Sequence, residues 1–233
     1  MTKEILLNKQ GEAILLNGQV ISLKNKPTPP GPTPSIPTTL GSRIDDKATV
    51  VGVLQDHEGN DYVLAVVDAA YRSNRWYYWC KDRNIDTPLS NLGYPGNPAE
   101  VLEDNHTGEY NTDVILNTYT ASDYPAFNFA RNACNVEING VTYVSSLPSL
   151  RELKLIYDNK ETLDTYDPTL EDYPDASLSG FSFGASAGAW SSSEMNGNSA
   201  WFIRNLNGDI LIHAYYKDDN GNGICPVICI PLS

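Results

Sequence analysis

Positive charge is scarce in this chain of 233 residues. It carries 16 Lys and Arg against 29 Asp and Glu, for a net charge of −13. That balance repels phosphate backbones and anionic bilayers, so neither nucleic acid nor a membrane is an expected partner. Long apolar runs are missing too, and nothing approaches the roughly 20 residues of a membrane span. The opening Met1-Thr2-Lys3-Glu4 leads into an apolar stretch cut by Asn8, Lys9 and Gln10, which does not read as a signal peptide. Folding in the cytoplasm is the expectation. Histidine is rare: His57, His106 and His213 are spaced too widely for a zinc site, and none accompanies a nucleophile elbow.

Cysteine is sparse as well. Cys80, Cys134, Cys225 and Cys229 show no metal-binding spacing. Cys225 and Cys229, four residues apart on one strand, would lie roughly 13 Å apart, too far to bridge. Buried free thiols are expected. Asp218-Asp219-Asn220-Gly221-Asn222-Gly223 imitates the front of a calcium loop, but Cys229 stands where the bidentate Glu belongs. It reads as a tight hairpin loop. Glu194 has no partner carboxylate of the kind a glycosidase needs, and a structural role is expected. No catalytic residue, metal or cofactor is expected, and the chain does not read as an enzyme.

What is present falls into three parts. Residues 1–26 form a β-rich arm: Ile5-Leu6-Leu7-Asn8-Lys9-Gln10 recurs nine residues later as Ile14-Leu15-Leu16-Asn17-Gly18-Gln19, followed by Val20-Ile21. Two or three such short strands cannot bury their own surface. Ile5, Leu6, Leu7, Ile14, Leu15, Leu16, Val20 and Ile21 are therefore expected to anchor the chain, in an oligomer or on another protein. Residues 27–41 form a spacer with six prolines between Pro27 and Pro37, extended and polyproline-like. Residues 42–233 form the head. There Thr49–Leu54 and Tyr62–Val67 flank the turn segment 56–60 as a hairpin. Trp76, Tyr77, Tyr78 and Trp79 read as core or interface. Thr112 is read as the cap of a short helix, Tyr124–Cys134 as a second, and Ser149-Leu150-Arg151-Glu152 as a capping box opening a third. The stretch from Asp164 to Trp190 is loop-like. The last 45 residues read as a β-meander with a turn at Asn207-Gly208 and Trp201 and Ile203 facing inward. Two or three helices beside an antiparallel meander make an α+β fold.

Asn111-Thr112-Asp113, Ser146-Leu147-Pro148-Ser149-Leu150-Arg151-Glu152-Leu153, Trp190-Ser191-Ser192-Ser193-Glu194, Ala200-Trp201, Asn207-Gly208 and Pro226-Val227 follow one another in a familiar order. The series resembles the Fibrobacter-type major paralogous domain and its relatives, bacterial surface proteins and phage virion proteins with a C-type-lectin-like fold. The resemblance covers about half the chain, from Asn111 on. It departs at the end, where Cys225-Pro226-Val227-Ile228 replaces the family's usual Arg-Pro-Val-Arg. It implies a C-type-lectin-like head. Joined to the arm and spacer it implies a phage fibre, with the layout of a crAss-like phage head fibre. It also touches the variable proteins of diversity-generating retroelements.

The expected function is that of a virion structural protein, assembled in the host cytoplasm as a homotrimer. Residues 1–26 would grip the capsid or another virion protein, and the head would meet a host or mucosal carbohydrate receptor. The alternatives are a bacterial surface-attached binding protein and a fibre with a purely structural role. Asn196, Asn198, Arg204, Asn205, His213, Tyr215, Lys217, Asn220 and Asn222 are the expected ligand-binding residues. Tyr, Arg and Asn in this mix give adaptable contacts that need no metal.

Overall fold

The computed structural model describes residues 6–7, 13–15, 35–67, 73–89, 97–160, 162–163, 188–206, 209–219 and 222–232, with backbone alone at 6–7, 13–15, 73–76 and 205–206. The chain divides into two compact units, Met1–Ser35 and Ile36–Ser233. In the first, β1 (Leu6–Leu7) and β2 (Ala13–Leu15) pair antiparallel, with Leu6 opposite Leu15. Parts of the two repeated apolar runs thus pair with each other. Ile5, Leu16, Val20, Ile21 and the spacer residues 27–34 lie outside the described residues.

The second unit is α+β and mostly strands, with four α-helices among the described residues. It opens with β3 (Arg43–Ile44), β4 (Ala48–Gln55) and β5 (Asp61–Val67). The β4–β5 turn is held by Asp56, whose carboxylate accepts from the Glu58 and Asn60 N–H groups at 2.9 and 2.8 Å. Every residue of β5 after Asp61 is buried, because the sheet is covered on both faces. Tyr62, Leu64 and Val66 join the main core, and Val63, Ala65 and Val67 join a smaller one. A continuous apolar run is the sequence form of such a strand.

β6 (Ser73–Tyr77), α1 (Pro98–Glu103), α2 (Gly108–Thr118), a 3-10 turn (Ala121–Asp123) and α3 (Pro125–Asn132) follow. Thr107, not Thr112, caps α2: its hydroxyl accepts from the Tyr110 N–H at 3.0 Å. Thr112 lies buried inside the helix and its hydroxyl accepts from the Leu147 N–H at 3.2 Å. The hairpin β7 (Asn135–Ile138) and β8 (Val141–Val144) turns at Asn139-Gly140, both at positive φ (54° and 77°). That pair suits a tight hairpin turn. Val136 and Cys134 of this segment belong to the smaller core. α4 (Leu150–Asp158) carries the capping box between Ser149 and Glu152 in full.

Residues 164–187 lie outside the described residues. β9 (Gly188–Asn196), β10 (Ser199–Leu206) and β11 (Asp209–Tyr216) then form an antiparallel meander. The tail does not extend it, contrary to expectation. β12 (Asn222–Ile224) crosses to the far side of β9, pairing parallel with it and antiparallel with β6, which gives the sheet order β11-β10-β9-β12-β6. β13 (Val227–Pro231) leaves for the other sheet, β13-β5-β4-β3, and pairs with β5. β11 and β12 are therefore not neighbours in the sheet, and no hairpin pairs them, contrary to expectation. The inward register of β10 is as expected, with Trp201 4% and Ile203 0% exposed, while Phe202 is buried on the opposite face. All four cysteines are buried, and none is in a disulfide.

Candidate functional site

The head is held by a buried polar seam built from the motif residues. In β9, each residue of Trp190–Glu194 is buried and each side chain has a distinct partner. The Trp190 indole donates to the Tyr77 carbonyl (2.9 Å) and the Ser191 hydroxyl to the Trp201 carbonyl (2.8 Å). The Ser192 hydroxyl accepts from the Asn111 amide (3.0 Å), and the Ser193 hydroxyl accepts from the Leu150 N–H (3.0 Å). Small hydroxyls suit this place because each must reach a backbone or amide group without filling the gap between sheet and helices.

Glu152 closes the seam at α4. One carboxylate oxygen accepts from the Ser149 N–H (2.7 Å) and the Gly108 N–H (2.9 Å), and the other accepts from the Tyr62 hydroxyl (2.8 Å). Gly108 must be glycine: a Cβ there would lie 2.2 Å from the Leu147 carbonyl oxygen and 2.7 Å from Glu152 Oε2. Burial pushes the Glu152 carboxyl above its ordinary value, against the pull of these hydrogen bonds.

Glu194 sits in β9, fully buried against Lys217. Its other oxygen accepts from the Thr87 hydroxyl at 2.6 Å. Lys217 Nζ also donates to the Ile85 and Gly197 carbonyls, both at 2.9 Å, and stands 5.0 Å from the Trp79 ring centroid. This corrects the reading of Lys217 as an outward ligand contact. Its side chain is 0% exposed and ties residues 85–87, the β9–β10 turn and the end of β11 together. Asn222 is corrected likewise: it is 5% exposed, at the start of β12 between β9 and β6.

The remaining expected residues divide into two places. Arg204, His213 and Tyr215 share one face of the β10–β11 ladder with Phe202, since Phe202 pairs with His213 and Ala200 with Tyr215. Rings step outward from the core along this face. The Trp190 and Phe202 centroids are 5.8 Å apart, and Phe202 lies 5.9 Å from His213 and 6.0 Å from Tyr215. His213 is exposed and Tyr215 is 47% exposed. Arg204 is half-buried, with a buried Nε that has no partner among the described residues. Asn196 and Asn198 are exposed at the β9–β10 turn. The Asn196 side-chain oxygen Oδ1 is occupied there by the Asn198 and Ser199 N–H groups, both at 2.9 Å. Asn198 and Arg204 are six residues apart along the strand, about 20 Å at the usual rise. The nine residues therefore do not form one cluster. Asn220 and the Asn205 side chain lie outside the described residues.

Sequence reasoning missed Tyr216 and Arg83. Tyr216 is 52% exposed at the end of β11, with the Arg83 guanidinium 4.9 Å from its ring centroid. Arg83 also pairs with Asp218 at 3.0 Å. Period-two alternation hides one of Tyr215 and Tyr216 by rule, and only the position of β11 at the sheet edge leaves both open.

Among the described residues no group of three or more His, Cys, Asp or Glu is placed to hold a metal. None of the described helices is long and apolar enough to cross a membrane. No family model matches the chain, and no curated protein and no solved structure matches it.

Proposed function

We propose that this chain is a phage virion fibre protein. Residues 1–26 anchor it to the capsid or another virion protein and assemble it as a homotrimer. The proline-rich residues before Ile36 stand it off; the expected boundary at residue 42 moves back, because Ile36 and Leu40 already pack on the two cores and the Gly41 N–H donates to the Val50 carbonyl. A C-type-lectin-like head from Ile36 on displays the β11 edge to a host or mucosal glycan. The observation that carries this reading is the ladder of rings from buried Trp190 through Phe202 to exposed His213 and Tyr215. Rigid aromatic groups on a fixed sheet give contact area at little entropic cost. The seam supports the resemblance behind it, because Asn111, Ser149–Glu152 and Trp190–Glu194 bond to one another directly or through shared neighbours.

A purely structural fibre is the second reading. It is favoured by the burial of Lys217 and Asn222, which removes two of the expected ligand contacts, and by the occupied Asn196 side-chain oxygen, which weakens a third. A bacterial surface-attached binding protein would share the head and differ in its carrier.

The head, tested on a glycan array beside Tyr215→Ala and Arg204→Ala, is expected to bind, with each variant weakened about tenfold or more. A head that binds nothing, or variants that bind as the parent does, leaves the structural fibre. Light scattering of the full chain is expected to give a trimer, and removal of residues 1–26 a folded monomeric head that no longer attaches to its carrier. A monomeric full chain overturns the anchoring role of the arm.

A further inference from the structure

A cleft of about 460 Å³ lies between the end of β6 and α3, and nothing above uses it. Its walls are joined by backbone bonds from the Ala126 N–H to the Tyr78 carbonyl (3.1 Å) and from the Lys81 N–H to the Asp123 carbonyl (2.9 Å). The cleft is thus built by the fold rather than by mobile side chains. Helix α3 turns Ala126, Phe127 and Ala130 into the core. Asn128, Phe129 and Asn132 are left facing the cleft.

We propose that this cleft is a carbohydrate subsite selecting a pyranose that bears a carboxylate. Tyr77 and Phe129 supply half-buried rings with centroids 4.9 Å apart and planes 32° from each other. The negative faces of such rings suit the weakly positive C–H face of a sugar. One turn apart on α3, Asn132 and Asn128 are set by each other: the Asn132 amide donates to the Asn128 backbone carbonyl (2.7 Å) and side-chain oxygen (3.0 Å). That leaves the Asn128 amide N–H groups and the Asn132 side-chain oxygen without a partner among the described residues. A fixed donor beside a fixed acceptor matches a pair of neighbouring hydroxyls. Apolar walls with a few placed polar groups are the usual make-up of a small-ligand site.

Lys81 determines the class of sugar. It is exposed, it is the one charged side chain lining the cleft, and it has no carboxylate partner among the described residues. An ammonium with no carboxylate beside it, next to two rings, favours an anionic guest. A carboxylate there makes a charge-assisted hydrogen bond.

The proposal does not depend on the fibre reading. Calorimetric titration of the full chain with galacturonate oligosaccharides and with a sialylated trisaccharide separates the two sources of a carboxylate sugar. Neutral oligosaccharides of the same length and acetate serve as controls. At least one acidic sugar is expected to bind, about tenfold or more tighter than its neutral counterpart. Lys81→Gln is expected to abolish that preference while the melting temperature stays unchanged, since the side chain is exposed. Phe129→Leu, which keeps apolar bulk but not the ring, is expected to weaken acidic and neutral sugars alike. Tyr215→Ala is expected to leave this binding untouched, which separates the cleft from the β11 face. The proposal is overturned if no acidic sugar binds, if neutral sugars bind as well, or if Lys81→Gln binds as the parent does.

Discussion

Lys217→Met is expected to destabilise the head by about 3–5 kcal/mol, the usual cost of breaking a fully buried ion pair from one side. Methionine keeps an unbranched stem of similar length, so lost volume is not the main cause. The cause is Glu194, left without its cation at 0% exposure and holding, among the described residues, only the Thr87 hydroxyl. The Ile85 and Gly197 carbonyls lose their donor at the same time. Adding Glu194→Gln is expected to restore a large part of the loss, because a neutral amide still accepts from Thr87 and leaves no stranded charge. Urea denaturation of the two single variants and the double variant reads the coupling directly. Single losses that simply add would mean that the two side chains act independently and that the pair is incidental to the fold.

Glu152→Ala is expected to cost a comparable amount, about 3–5 kcal/mol. It orphans the Gly108 and Ser149 N–H groups and the Tyr62 hydroxyl in the main core, at about 1–3 kcal/mol for each unsatisfied donor. Glu152→Gln is expected to be far milder, since its oxygen can accept both backbone donors while its amide faces Tyr62. The pair also differs in pH dependence. Because the folded Glu152 carboxyl sits above the ordinary value of 4.5, the folded head holds this proton more tightly than the unfolded chain does. Its contribution is full below that ordinary value and is lost as pH rises through the raised one. Relative to Glu152→Gln, the parent is therefore expected to be more stable at pH 4.5 than at pH 8. A flat difference across that window would overturn the assignment of a raised carboxyl.

These effects show which parts of the molecule were legible in its sequence. The capping box at Ser149, the 49–67 hairpin and the helix after Tyr124 carried local signals, and local signals sufficed. Two further local signals went unread: Asn97-Pro98, where the Asn97 side chain accepts from the Ala99 N–H to open α1, and the Asn139-Gly140 turn. The errors at Lys217 and Asn222 are of another kind. Both are polar residues in a Gly- and Asn-rich stretch, which reads as a solvated loop. Their burial follows from tertiary placement, with Lys217 23 residues beyond Glu194 and β12 carried across the meander to the far side of β9. Neighbours in sequence are neighbours in a sheet only about two-thirds of the time, and the tail is one of the exceptions. The Tyr77–Phe129 cleft was illegible for the same reason, since its floor joins residues more than 50 positions apart.

The four buried thiols have a consequence for the handling of the molecule. Cys80, Cys225 and Cys229 sit in the main core and Cys134 in the smaller one, and none is bridged. The folded head is therefore indifferent to the redox poise of its surroundings, whether a reducing cell interior or open air. The unfolded chain is not. Once the cores open, all four sulfurs become reachable, and any disulfide among them must be undone before the native core can close again. Heating in air thus becomes a one-way journey where heating under a thiol reductant is a round trip, and the shelf life of the protein is set by how often it opens rather than by how stable it is when closed.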